Sequence, residues 1–136
     1  MSHETIEVPG RPRPRGYNDG ILARGGRLLF VAGQVAWDQQ QRLIVGADFA
    51  AQFDRALANV LAVVGVAGGQ PADLTRLTLY VLDLDSYRAA LKQIGACYRA
   101  RVGAHYPAMT LVQVAGLLEQ GAMVEIEATA VIPQRP

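Results

Sequence analysis

The groups that most often carry chemistry are scarce in this sequence. Its 136 residues include a single cysteine, Cys97, two histidines, His3 and His105, and two serines, Ser2 and Ser86. One thiol cannot close an internal disulfide, and one thiol with two imidazoles falls short of a structural zinc site. No metal or cofactor is therefore expected. His105 has no Cys, Asp or second His at ligand spacing, and Ser86 sits where a helix would be capped, which argues against a serine triad. An excess of one charge is also missing. Thirteen basic side chains against twelve acidic ones leave a formal charge of +1, so no global field draws in nucleic acid or an anionic membrane. Gly25-Gly26 and Gly33 form neither a dinucleotide fingerprint nor a phosphate loop, and Trp37 and the tyrosines are not interleaved with basic residues as a single-strand platform requires. Long apolar runs are absent as well, because Asp54, Arg55 and Asn59 interrupt the alanine-rich region. The first 20 residues carry Glu4, Glu7, Arg11, Arg13 and Arg15 without an apolar segment, unlike a secretory signal. Together these exclusions lead to the expectation of a cytoplasmic protein with neither membrane nor nucleic-acid partner.

What is present is a compact composition, 51% hydrophobic and 18% charged, in a length suited to one domain over residues 1–136. Residues 10–20 are too rich in Gly and Pro for a regular element, and residues 1–15 are expected to form a flexible arm. Residues 21–24 and 27–32, separated by Gly25-Gly26, suggest a hairpin, with a short edge strand over 42–45. From Asp48 the period changes. Phe49, Phe53, Ala56, Leu57, Val60, Leu61 and Val64 recur every three or four residues, with Gln52, Asp54, Arg55 and Asn59 off that face, which predicts an amphipathic helix ending at Gly68-Gly69. Residues 74–82 alternate as a strand apolar on both faces. A second helix, capped by Asp85 or Ser86, would carry Tyr87, Leu91, Ile94 and Tyr98 on one stripe and end near Gly103. Two strands follow, over about 109–114 and 123–132, and residues 133–136 are expected to fray. The order indicates an α+β fold with two helices on one face of a sheet of five or six strands. The other face, largely apolar, then calls for burial between subunits, hence a homo-oligomer.

Three features could carry function. Glu125 and Glu127 alternate with apolar residues, so both carboxylates share one strand face roughly 7 Å apart. Such a pair can bind or move protons, or it can be a solvated edge paired with Arg76 or Arg99. Tyr17, in the Gly/Pro loop, either anchors the loop or lines a pocket. Arg11, Arg13 and Arg15 alternate with prolines and would display a small basic comb suited to a carboxylate or phosphate, or a solvated arm. Cys97, beside Tyr98, fits a buried inert thiol.

Several segments together resemble the RidA family, also called YjgF or L-PSP. Gly16-Tyr17 stands where that family has a tyrosine loop, and Leu29-Phe30-Val31-Ala32-Gly33-Gln34 resembles its strand ending in Ser-Gly-Gln. Leu77-Thr78-Leu79-Tyr80-Val81 is similar to its central strand, and Val124-Glu125-Ile126-Glu127-Ala128-Thr129-Ala130-Val131 to its terminal signature. The resemblance spans residues 16–132. It implies a chorismate-mutase-like α+β subunit with a mixed sheet, assembled as a homotrimer with a small-molecule cleft at each subunit interface. It also implies hydrolysis of enamines or imines to ketones and ammonia without metal or cofactor. In such proteins an arginine at the start of the penultimate strand binds the substrate carboxylate, and the first glutamate of the terminal signature positions water.

The pattern departs at informative places. The family's Pro-Ala-Arg reads Pro107-Ala108-Met109, its helical asparagine falls at Leu91, its loop serine becomes Asn18, and the loop over 116–122 is one residue longer. Methionine cannot make the forked bond of a guanidinium. The resemblance therefore implies a subgroup lacking that arginine. Glu125 would be the catalytic residue, and Tyr17, Gly33, Met109, Leu91 and Arg15 would bind substrate. Three readings stay open: a hydrolase whose substrate lacks that carboxylate or is held by Arg13, Arg15 or Arg24; a non-catalytic trimer binding a small metabolite; and, ranked last, an endoribonuclease.

Overall fold

A computed structural model describes residues 3–134 of the chain. Its first layer is a four-stranded sheet. It is built from β3 (Arg27–Gln34), β4 (Leu74–Val81), β5 (Ala108–Gln113) and β6 (Val124–Ile132), in the order β3-β6-β4-β5. β6 runs antiparallel to both neighbours, while β4 and β5 are parallel, so the sheet is mixed. A parallel pair needs a crossover, and here it is helical. On one face lie α1 (Phe49–Val66), α2 (Leu84–Ala89) and α3 (Leu91–Val102). A two-stranded sheet of β1 (Glu4–Ile6) and β2 (Gly20–Leu22) stands apart. The α+β architecture is the one the sequence indicates.

The helix α1 forms where the period predicts. Asp48 caps it by accepting a hydrogen bond from the Ala51 N–H at 2.9 Å, and Gly68, at φ +85°, takes the left-handed conformation just beyond its end. By length and composition this helix could cross a bilayer. Its apolar stripe is nevertheless spent on the sheet: Phe53, Ala56, Leu57, Val60 and Val64 are buried against Leu77, Leu79, Ile126 and Ala128. Complete burial of a side chain such as Leu57 or Ile126 contributes about 1.5–3 kcal/mol.

Several expectations are corrected. Residues 21–24 and 27–32 do not form a hairpin, because β2 pairs with β1 and β3 pairs with β6. Gly25-Gly26 permits a turn without dictating a partner, whereas β6 offers a long strand whose alternation seats Val31 in the core opposite Ala128. Of the expected arm, residues 1–2 lie outside the described residues, and Glu4–Ile6 is a strand. The edge strand over 42–45 shrinks to one bridge between Trp37 and Leu43. The second helix is two. Asp83, rather than Asp85 or Ser86, caps α2, and the chain breaks at Ala90. Nothing in Ala89-Ala90 disfavours helix. Instead α2 is fixed by the Leu84 N–H on Gln113 and by Tyr87 edge-on to Phe49, and α3 is fixed separately by buried Ile94 and Tyr98. Gln52, expected off the apolar face, is buried. Residues 135–136 of the expected frayed tail lie outside the described residues.

Among the described residues no helix lies on the second face of the sheet. In the single chain this face leaves Phe30 at 74% and Leu28 at 59% exposure, with Val112 exposed beside Tyr80.

Candidate functional site

A cavity of about 500 Å³ opens on the helix side of the sheet, between β4, β5, α3 and the loop that precedes β2. Leu79, Met109 and Leu111 form its floor, and Leu91, the first residue of α3, and Ile94 line one wall. Tyr17 and Arg15 enter from the loop. The loop is held there by Asn18, whose N–H donates to the Pro107 carbonyl at 3.1 Å and whose side-chain amide donates to the Tyr106 carbonyl. Asn18 also bridges Ala108, so Tyr17 is placed beside the start of β5 by backbone pairing. Gly16, at φ +77°, makes the turn that brings the chain in.

The entry to β5 is pinned from beneath. Tyr106 stacks on Tyr98 with centroids 5.1 Å apart and planes 9° apart, and the Tyr98 hydroxyl donates to the His105 carbonyl at 2.6 Å. Burial, and secondarily Tyr106, pushes the Tyr98 hydroxyl pKa upward, so it stays a donor. The His105 ring meets the Leu74 carbonyl at 2.7 Å through Nε2. Its role is structural.

Glu125 lies elsewhere. Val124, Ile126 and Ala128 of β6 point into the core, which turns Glu125 and Glu127 to the face without helices. There Glu125 leans against Gly33, so close that a Cβ on that glycine would come within 2.2 Å of Oε2. Glu127 accepts a hydrogen bond from the Tyr80 hydroxyl at 2.9 Å, and Tyr80 stands opposite Glu125 in the β4–β6 register. The bond to Glu127, ahead of partial desolvation and the two carboxylate charges, raises the Tyr80 pKa. Among the described residues neither glutamate pairs with Arg76 or Arg99. The start of β6 is fixed by Gln52, which donates to the Gly121 carbonyl at 3.0 Å and accepts from the Met123 N–H at 2.8 Å.

The six residues singled out by the sequence therefore fall into two groups. Tyr17, Leu91, Met109 and Arg15 share the cavity, whereas Gly33 and Glu125 meet on the opposite side of the sheet. One cleft does not collect all of them within a protomer. The arginine comb also divides: Arg11 lies 4.0 Å from Asp19 and Arg13 3.5 Å from Glu7, which leaves Arg15 at the cavity. Sequence reasoning missed Arg99, which reaches the same cavity from α3, and the Tyr98–Tyr106 stack beneath it. Among the described residues no three His, Cys, Asp or Glu side chains gather as a metal cage.

Comparison with known proteins identifies the fold and the family. The family described as Endoribonuclease L-PSP matches residues 11–132. A RutC family protein of Synechocystis is 34% identical over 135 residues, covering 98% of this chain and 99% of its own length. Another from Pyrococcus abyssi is 31% identical over 131 residues, covering 96% and 98%. The crystal structure of the Rid family protein YyfB from Yersinia pestis superposes with a TM-score of 0.83 at 35% identity, covering 97% of this chain and 100% of that one. TdcF of Escherichia coli, solved with bound serine, gives a TM-score of 0.68 at 30% identity, covering 94% and 98%. With the family matched over residues 11–132 and relatives of 31–35% identity covering nearly the whole chain, the chain belongs to the L-PSP family, the RidA/YjgF proteins.

Proposed function

We propose that the protein is a homotrimer with ligand clefts between its subunits, and that it hydrolyses a small enamine- or imine-type metabolite without a metal. The observation that carries this reading is the division of the site across the sheet. Tyr17 and Met109 line a cavity on one face while Gly33 and Glu125 wait on the other, beside the exposed Phe30 and Leu28. A second copy laid on the bare face supplies its own β5 rim to the first copy's Glu125 and buries the apolar side chains in the same step. Glu125 then takes a proton from a water as its oxygen adds to the C=N carbon and returns that proton to the nitrogen. The resulting carbinolamine expels ammonia, leaving a ketone; the same carboxylate carries the hydroxyl proton to the nitrogen as the C–N bond breaks.

Met109 sets this chain apart from a standard 2-iminoacid deaminase, because a thioether offers no charge-assisted bond to a carboxylate. A second reading, a non-catalytic trimer binding a small metabolite, is favoured by the apolar Met109 and Leu91 in the cavity wall. Ribonuclease action has no support from a histidine pair, since the His3 and His105 rings each meet a backbone carbonyl. The test is ammonia release from a panel of freshly generated imines, 2-aminoacrylate among them, by the native chain and Glu125→Gln. General-base assistance of this kind contributes about 10²–10⁴-fold, so a loss of at least about 100-fold in the variant is expected. Equal rates would remove Glu125 from the chemistry, and no turnover of any imine would leave the binding reading.

A further inference from the structure

Gly33 and Glu125 meet across an irregular stretch of the sheet. β3 pairs with β6 only as far as Gln34 opposite Ile126, and the register shifts between Val31 and Gln34, which passes over Ala32 and Gly33. Regular ladder bonds therefore do not set the distance between this glycine and the carboxylate. Nor does an ion pair hold Glu125 among the described residues.

The support comes from one stripe of α1. Gln52, Arg55 and Asn59 follow at steps of three and four, so they share a helix face. Gln52 is 3% exposed and spends both ends of its carboxamide on the segment that leads into β6, as donor to the Gly121 carbonyl and acceptor from the Met123 N–H. Glu125 is two residues further on, roughly 7 Å along the strand. Asn59 does the same for the segment that leaves β3. Its Nδ2 donates at 3.0 Å to the Val35 carbonyl and at 3.0 Å to the Trp37 carbonyl, and Val35 is two residues past Gly33. Arg55 adds a bond from Nε to the Trp37 carbonyl at 3.1 Å. The base of the stripe is firm, because the Gln52 N–H donates to the Asp48 carbonyl at 3.0 Å in the capped first turn, and Phe53, Ala56 and Leu57 are buried in the core. Every partner is main chain. One helix thus grips the chain two residues after Gly33 and two residues before Glu125.

We infer that Gln52 and Asn59 are positioning residues, and that the stripe they form with Arg55 sets the approach of Glu125 to Gly33 and so aims the carboxylate. An apolar residue at 52 would fill the same space but leave a buried N–H and a buried C=O unpaired. The consequence for turnover rests on the role proposed for Glu125; the placement itself does not.

The test reads that placement directly. In the full-length protein with labelled glycine and glutamate, a nuclear Overhauser contact between Gly33 Hα and Glu125 Hγ is expected, since a Cβ on residue 33 would lie 3.0 Å from Glu125 Cγ. Gln52→Met and Asn59→Leu keep the bulk and lose the hydrogen bonds. Each should weaken that contact several-fold in a chain that circular dichroism shows to be folded. Gln52→Glu should restore it, because a buried carboxyl favours its neutral form and then offers the same donor and acceptor. In the native chain, with no variant needed, the Met123 amide should exchange as slowly as the amides of β6. On an imine whose hydrolysis depends on Glu125, Gln52→Met and Asn59→Leu should each lose about tenfold in kcat with KM changed by less than about twofold. Added to Glu125→Gln, Gln52→Met should lower the rate no further. A native-strength contact in folded Gln52→Met, a Met123 amide that exchanges freely, or a kcat loss undiminished in the Glu125→Gln background would each overturn the assignment. If no imine is turned over, the hydrolase reading alone fails, and the Overhauser contact still decides the placement.

Discussion

Gly33 bears no side chain at the one place where Glu125 leans across from β6. An added Cβ would lie 2.2 Å from Oε2, 2.8 Å from Cδ and 3.0 Å from Cγ. All three atoms belong to the outer part of a flexible side chain, so the carboxylate yields and the backbone stays. Alanine is also the better residue within a strand, by about 0.5–1 kcal/mol. Gly33→Ala should consequently fold with an unchanged or slightly raised melting temperature and lose about tenfold or more of the imine hydrolysis, because Glu125 no longer holds its place. Thermal melts alongside rate measurements would check both halves. An unaltered rate would mean that the position of Glu125 is irrelevant to the chemistry. The same scale explains Met109: its thioether keeps the cavity floor continuous with Leu79 and Leu111.

At the scale of elements, periodicity sufficed wherever one face alone was buried. The span of α1, its Asp48 cap and its glycine stop all follow from residue order, as do β4 and β6 with their alternating buried positions. Partner choice did not follow, since β3 and β2 carry no local mark of which strand each will meet. The break at Ala90 was hidden for a related reason: Leu84 and Tyr87 dock on Gln113 and Phe49, which lie far away in sequence. In the site, Glu125 and Tyr17 were legible through their strand and loop contexts. That Glu125 and Met109 occupy opposite faces depends on how β6 and β5 flank β4, which no local pattern encodes. Long-range ties of another kind fix α3 to α1. Arg101 grips Asp54 with Nε at 2.6 Å from Oδ1 and Nη2 at 3.0 Å from Oδ2. That bond, more than the smaller opposing desolvation, lowers the Asp54 pKa. A carboxyl depressed by folding adds stability that is complete above its unfolded pKa of about 3.9 and is lost as pH falls through the folded value. Both side chains remain more than a third exposed, which limits the pair to about 0.5–1 kcal/mol. Arg101→Met should therefore be less stable than the native chain by that amount at neutral pH, with the gap closing as the pH drops below about 4. Urea titrations across that range would measure it, and a gap that persisted in acid would assign the loss to packing instead.

At the scale of the whole molecule, the sheet has two faces and the single chain covers one. Helices bury Leu77, Leu79 and Ile126, while Phe30, directly opposite Thr129 on the bare face, is left 74% exposed. Full removal of a phenylalanine side chain from water contributes about 1.5–3 kcal/mol, and Leu28, Val112 and Tyr80 extend the same surface. Arg76 shares this face with Glu125 and Glu127, so the effect of a carboxylate at position 30 comes from losing apolar contact and placing a charge in a buried seam. Phe30→Glu alters nothing inside the protomer core and should leave the fold intact. It should, however, convert a species sedimenting at three times the 14.6 kDa chain mass into one sedimenting at that mass, with hydrolysis lost in parallel. Sedimentation velocity at micromolar concentration reads the first effect and the imine assay the second. A native chain that already sediments singly while remaining active would show that Glu125 and the tyrosine cavity work apart, and the shared cleft would have to be given up.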